Sequence, residues 1–109
     1  MQKDVAFLGS TLDDLRRLPQ GIRRAAGYQL NKLQENELPD DWKPMPGIGA
    51  GVSEIRIRDA SGAYRIMYVA KFLEAIYVLH VFRKKTQKTA AGDVELTRKR
   101  YRELQRIRS

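Results

Sequence analysis

The chain has 109 residues, 42% of them apolar, and its 21 Lys and Arg outnumber 13 Asp and Glu to give a net charge of +8. This length suits one domain over residues 1–109 with a single core, and the charge either attracts a phosphate polymer or lies on ordinary solvated faces. With no cysteine, one histidine, no 18-residue apolar run and no apolar signal segment, we expect a cytoplasmic chain without disulfides, metal site, cofactor or membrane span.

The N-terminal half is predicted to form a strand, two helices and a loop. Val5–Leu8 is a short apolar run typical of a strand. Residues 11–35 are predicted to form a helical hairpin that is divided at Pro19, because proline ends one helix and is tolerated at the start of the next. The apolar positions Ile22, Ala26, Leu30 and Leu33 repeat at helical spacing. Residues 36–51 contain three prolines and three glycines and are predicted to form a loop.

The C-terminal half is predicted to form three strands and a helix. The strands cover residues 52–58, 63–71 and 75–83, and the helix covers residues 90–108. The order predicts an α+β fold: an N-terminal strand and helical hairpin, then a three-stranded antiparallel meander and a C-terminal helix. We expect the helices to lie on one face of a largely antiparallel sheet.

The first predicted hairpin brings two arginines together. The turn signal at residues 59–62 predicts that Arg58 pairs with Ala63. In that register Arg56 lies directly opposite Arg65, and the apolar side chains share the other, buried face. That buried face comprises Ile55, Ile57, Tyr64, Ile66 and Tyr68.

The second predicted hairpin adds a histidine to the same face. Pairing Ala70 with Ala75 places Arg65 opposite His80, while Leu79 faces the core beside Ile66. The face that results carries Arg56, Arg58, Arg65, His80, Phe82 and Lys84.

This cationic face is suited to binding phosphate. Opposed arginines such as Arg56 and Arg65 repel each other, and an anion between them removes that cost, although Glu54 can partly neutralise them in the free protein. The imidazole of His80 is a group that can exchange a proton, while a lone strand histidine is more often structural. The alternative interpretation is a set of solvated strand arginines.

At these residues the chain resembles the RelE/ParE toxin superfamily, and most closely its phage-related HigB-like toxins. The resemblance rests on residues 51–56 (GVSEIR), 64–68 (YRIMY) and 77–86 (YVLHVFRKKT), together with the helical hairpin and residues 41–45 (DWKPM). It spans almost the whole chain and implies a RelE-like fold. It also implies the toxin half of a type II toxin–antitoxin module, with a HigA-like helix-turn-helix antitoxin as partner.

The resemblance further implies metal-independent cleavage of messenger RNA on the ribosome, with contacts to ribosomal RNA. The candidate catalytic residues are Arg65, Arg56, His80 and Lys84. The candidate RNA-binding residues are Arg58, Phe82, Lys85 and Lys88. Relatives often place a tyrosine or histidine near the C-terminus, but residues 90–92 here are Ala-Ala-Gly, which leaves the proton-transfer residue open. A ParE-like inhibitor of DNA gyrase and a non-catalytic nucleic-acid- or antitoxin-binding module remain as alternatives.

Overall fold

The computed structural model describes residues 2–109, which form five strands and three helices. In chain order these are β1 (Asp4–Phe7), α1 (Thr11–Arg16), α2 (Gln20–Gln34), β2 (Trp42–Pro44), β3 (Val52–Asp59), β4 (Gly62–Val69), β5 (Ala75–Lys84) and α3 (Ala91–Arg108). The helical hairpin, the C-terminal helix and the four predicted strands lie where the sequence patterns placed them, within about two residues.

The strands form one mixed, five-stranded sheet in the order β1-β5-β4-β3-β2. β1 runs parallel to β5, and the other neighbouring pairs are antiparallel. The sheet is therefore larger than the three-stranded antiparallel meander predicted from the sequence. β2 arises inside the predicted loop because Trp42–Pro44 pairs with residues 53–55 at the sheet edge, where a proline removes no ladder hydrogen bond that the fold needs.

The register of the first hairpin is confirmed. Arg58 pairs with Ala63 and Arg56 with Arg65, and the predicted apolar set of Ile55, Ile57, Tyr64, Ile66 and Tyr68 lies in one buried cluster.

The predicted register of the second hairpin is wrong. Arg65 lies opposite Phe82 and not His80, whose partner is Met67. The register shifts between Met67 and Tyr68, so that Leu79 is an extra residue in β5, a β-bulge. The bulge moves Leu79 into the cluster on the other face of the sheet, away from Ile66. Residues 71–74 carry no clear turn signature, and a bulge leaves no period-2 signal that could reveal it.

The helices lie on both faces of the sheet, and not on one as predicted. α2 packs Ile22, Ala26, Leu30 and Leu33 against one face. α3 packs Leu104 against the other face, over a cluster of Val52, Met67, Val69, Leu79 and Phe82.

Arg100 fixes the position of α3. Its guanidinium is buried and donates to the carbonyl oxygen of the bulge residue Leu79 at 3.0 Å and to Ser10 Oγ at 3.1 Å. Gly9, with φ of +55°, passes so close to this guanidinium that a Cβ at that position would lie 2.7 Å from Arg100 Nε. Helix α3 covers only part of this face of the sheet. The ends of β3, β4 and β5 that carry the cationic residues therefore line surface cavities.

Candidate functional site

The cationic residues of the three central strands lie in two cross-strand rows on the α3 side of the sheet. One row is Arg56–Arg65–Phe82, and the next is Arg58–Ala63–Lys84. The predicted convergence of Arg56, Arg58, Arg65 and Lys84 on one face is therefore found, although the histidine is displaced from the row that was predicted for it.

A buried carboxylate lies between the two opposed arginines. Glu54 is 3% exposed, and its Oε1 lies 3.1 Å from Arg56 Nε and 3.7 Å from Arg65 Nε. This charge offsets the repulsion between the guanidiniums when no other anion is present. The sequence analysis gave Glu54 only a neutralising role. Glu54 and Arg56 are two positions apart on β3 and therefore lie on the same face of the sheet. That spacing was the signal that Glu54 belongs to the centre of the site.

Arg65 is held in an almost fully buried position. It is 6% exposed, and its Nη1 donates to the carbonyl oxygen of Tyr64 at 3.1 Å. Burial lowers the pKa of the Arg65 guanidinium, and the nearby Glu54 carboxylate partly counters that effect. A guanidinium has so high an ordinary pKa that it stays charged. The site therefore holds a fixed, poorly hydrated positive charge, which acts more strongly on a nearby anion than a solvated one would.

His80 is bound to α3 and does not face Arg65. Its Nε2 lies 2.7 Å from Oδ1 of Asp93, and its ring stacks on Phe82 with centroids 4.7 Å apart and an interplanar angle of 19°. The side chain is 6% exposed overall. Asp93 was not among the predicted site residues, although an acidic residue in the first turn of a helix was a visible signal.

Unpartnered buried polar atoms are concentrated at this site. Within residues 2–109, four buried side-chain nitrogen or oxygen atoms have no hydrogen-bond partner: Thr11 Oγ1, Glu54 Oε2, Arg65 Nε and His80 Nδ1. Three of the four belong to the residues just described. Because such atoms are rare and costly in a folded protein, their clustering marks a position where the fold has not been optimised for stability alone.

Three adjacent surface cavities meet at Lys84. The Arg65 cavity, about 470 Å³, is lined by Arg58, Arg65, Lys84 and Lys85, among others. The Lys88 cavity, about 340 Å³, is lined by Glu54, Arg56, Lys84 and Lys88, among others. The Asp93 cavity, about 400 Å³, is lined by Phe82, Lys84, Lys85 and Asp93, among others. Seven of the eight predicted site residues therefore line this group of cavities, and His80 lines none of the three.

The side chains around these cavities are suited to holding a chain of anions. No three His, Asp or Glu side chains within residues 2–109 are grouped so that they could hold a metal ion.

In the same part of the chain, no helix is long and apolar enough to cross a membrane.

Comparison with known proteins gives one family. The model of the family described as "Phage derived protein Gp49-like (DUF891)" matches residues 13–102, which include most of α1, all of α2, the strands β2 to β5 and most of α3. No curated protein matches the chain.

Proposed function

The chain belongs to the Gp49-like family of phage-derived proteins, part of the RelE/ParE-like toxin superfamily, and on that premise we propose that it is the toxin of a type II toxin–antitoxin module. The activity proposed is metal-independent, ribosome-dependent cleavage of messenger RNA in the cytoplasm. A HigB-like toxin of this kind would be held inactive by a HigA-like helix-turn-helix antitoxin.

The observation that carries the proposal is the pair of Arg56 and Arg65 around Glu54, in which Arg65 is buried and Arg56 is partly exposed. Two guanidiniums and one carboxylate leave an excess positive charge at the bottom of cavities lined by further lysines. A phosphodiester supplies the missing negative charge, and guanidinium matches phosphate in geometry.

RNA can be cleaved at such a site by its own 2′-hydroxyl. The 2′-oxygen attacks the adjacent phosphorus, the new O2′–P bond forms as the P–O5′ bond breaks, and the products are a 2′,3′-cyclic phosphate and a 5′-hydroxyl. Arg65 and Arg56 stabilise the charge that develops on the phosphate oxygens. Since the attack needs little covalent help, most of the catalytic effect comes from alignment and electrostatics.

Proton transfer requires one acceptor and one donor. We assign the acceptor of the 2′-hydroxyl proton to Glu54, which lines the Lys88 cavity. Its Oε2 has no hydrogen-bond partner but is buried, so this assignment requires that RNA binding opens the carboxylate to the cavity. Lys84, which lines all three cavities, is assigned as the donor to the departing 5′-oxygen. His80, the candidate from sequence, is instead a positioning residue that joins β5 to α3 through Asp93.

The surface of α3 supplies candidate contacts to larger partners. Lys99, Arg102 and Arg106 follow one another at helical spacing and are exposed. We propose that this stripe contacts ribosomal RNA, and binding that weakens with rising salt concentration would be its signature.

The decisive experiment compares Arg65→Ala with Arg23→Ala. Arg23 is an exposed arginine on α2, on the opposite side of the sheet, so its removal changes the net charge equally without touching the site. Each variant is expressed inducibly, growth is followed, RNA 5′ ends are mapped, and cleavage is measured on purified ribosomes. We expect Arg65→Ala to lose about 100- to 1,000-fold in cleavage rate, by analogy with removal of one preorganised donor.

Each alternative function gives a different result in the same experiment. Wild-type cleavage and toxicity in Arg65→Ala would refute the site assignment. Inhibition of gyrase supercoiling that is independent of Arg65 would indicate a ParE-like toxin. Salt-dependent RNA binding with no cleaved message would indicate a non-catalytic module.

A further inference from the structure

The Asp93 cavity contains one feature that phosphate binding does not explain. Its lining residues include the cations Arg83, Lys84 and Lys85, the aromatic residue Phe82, and the acid Asp93. An ionised carboxylate repels phosphate. The pairing with His80 accounts for one oxygen of this carboxylate. The carboxylate still weakens the binding of the RNA that the neighbouring cations attract, unless a ligand group other than phosphate binds its second oxygen.

The Asp93 carboxylate is fixed in place and keeps acceptor capacity. Oδ1 is held by His80 Nε2 at 2.7 Å, and among residues 2–109 no hydrogen bond is made to Oδ2. The side chain is 29% exposed, so it can reach a ligand in the cavity. Since an ionised carboxylate accepts hydrogen bonds but donates none, a ligand group that binds it must carry N–H or O–H donors.

The two neighbouring cavities can divide one nucleotide between them. Lys84, Lys85 and Thr86 line both the Arg65 cavity and the Asp93 cavity. A phosphate beside Arg65 therefore lies next to a space whose lining includes the aromatic residue Phe82, 8% exposed, and the acceptor Asp93. Stacking on aromatic side chains and hydrogen bonding at base edges are the two ways in which proteins read unpaired RNA bases.

We propose that the Asp93 cavity binds an RNA base by its N–H donors and selects guanine. This inference rests on the proposed RNA-cleaving function and names the base that the site prefers. Guanine offers two adjacent donors, N1–H and the N2 amino group, to one carboxylate. Adenine and cytosine each offer an amino group, and uracil has a single N–H between two carbonyl oxygens that Asp93 repels. The expected order of affinity is guanine first, then adenine and cytosine, with uracil last.

The test measures binding by the full-length protein without depending on cleavage. The probes are fluorescent 2′-O-methyl hexanucleotides of uridine with one central position changed to G, A or C, which have no 2′-hydroxyl to attack. Anisotropy at one salt concentration should give about tenfold tighter binding of the G probe than of the all-U probe, the usual size of a base-discriminating contact.

The variant Asp93→Asn separates base reading from a merely structural role. Asparagine keeps a carbonyl oxygen for His80 but presents amide donors to the base, so the preference should shift from the G probe toward the all-U probe. Glu95→Gln is the matched control, because Glu95 is an exposed acid on the same helix; it should strengthen binding of all four probes equally. Should Asp93→Asn fail to fold, the wild-type ranking, together with the bases found at cleavage sites mapped on ribosomes, still tests the proposal.

The outcomes distinguish this proposal from the enzymatic one. Equal binding of the four probes by the wild type, or a uniform change of all four in Asp93→Asn, overturns the base-recognition proposal even if RNA is cleaved. A guanine preference that Asp93→Asn redirects supports it even if no message is cut. Failure to bind any probe would overturn the base-recognition proposal, whereas the enzymatic proposal is decided separately by cleavage on purified ribosomes.

Discussion

Glu54→Gln is expected to weaken the fold, strengthen RNA binding and abolish cleavage at the same time. The carboxylate is 3% exposed and is the only acid within salt-bridge distance of the 6% exposed Arg65 in the described part of the chain. Replacing it with an amide of the same shape leaves the Arg65 guanidinium beside Arg56 with no ion-pair partner, and only the weaker influence of the Asp41 carboxylate still favours its charge. The three effects have separate physical causes, so each can be measured by itself.

The size of the stability loss follows from the geometry. At 3.7 Å and an effective dielectric constant of about 20, the attraction between Glu54 and Arg65 is about 4.5 kcal/mol. Breaking a buried pair by removing one partner typically costs about 3–5 kcal/mol. The Arg56 side chain is 34% exposed, so water solvates its charge when the carboxylate is removed. Loss of the Glu54–Arg56 pair therefore adds no more than about 1 kcal/mol to the loss of stability. The free energy of unfolding should therefore fall by about 3–5 kcal/mol, a large part of the ordinary stability of a domain.

RNA binding should change in the opposite direction. In the free wild-type protein Glu54 competes with phosphate for both guanidiniums, and in Glu54→Gln that competitor is gone. We expect about tenfold tighter binding of a 2′-O-methyl oligonucleotide, equivalent to about 1.4 kcal/mol. Cleavage should nevertheless fall by about 100- to 10,000-fold, because the amide cannot accept the 2′-hydroxyl proton.

Urea unfolding, anisotropy and ribosomal cleavage measure these three quantities on the same preparations. Glu95→Gln removes an equal charge from an exposed acid on α3, and its free energy of unfolding should stay within about 0.5 kcal/mol of the wild type. A stability loss below about 1 kcal/mol in Glu54→Gln, or a loss of RNA affinity, would show that the carboxylate is not the counter-charge of Arg65. Undiminished cleavage with tighter binding would remove Glu54 from the catalytic role alone.

Two further predictions concern the fold that supports the site. Gly9→Ala should lower the free energy of unfolding by about 1–3 kcal/mol, since a side chain is strained at φ of +55° and its Cβ would displace Arg100 from Leu79; chemical denaturation measures this. Burial raises the pKa of Tyr68 to about 12 from an ordinary value of 10.0. Because the folded state then holds a proton that the unfolded state releases, stability should decline from about pH 10 upward and lose most of about 2.7 kcal/mol by about pH 12, measured as unfolding against pH.

Each of these predictions has a control in the same chain. A Cβ added at Gly27, inside α2, would meet no atom within 4 Å apart from the neighbouring backbone of the helix itself, so Gly27→Ala should stabilise the fold by about 0.5–1 kcal/mol. Equal destabilisation by both alanines would contradict the steric argument. Tyr68→Phe has no phenol to ionise and should lose less stability than the wild type between about pH 10 and about pH 12; parallel curves would show that other groups cause the decline.

The sequence by itself determined the three helices, four of the five strands and the first half of the site. Helical spacing on α2 and the alternation of apolar and charged residues on β3 are local signals, and the Asp59–Gly62 turn joins two strands with little freedom of register. The convergence of Arg56 with Arg65 followed from those signals alone. The family resemblance then supplied a function that composition and spacing left open.

Only the tertiary structure decided which residues complete the site. The bulge at Leu79 shifted His80 away from Arg65, and the packing of α3 against the second face brought Asp93 to the imidazole. Neither effect can be read from a repeating pattern in the sequence. A bulge breaks the alternation of a strand at a single residue, and the contact between helix and sheet joins residues that are 13 positions apart. The burial of Glu54 between two guanidiniums is also a property of the assembled sheet, since alternation fixes the face of a side chain but not how much of that face another element covers.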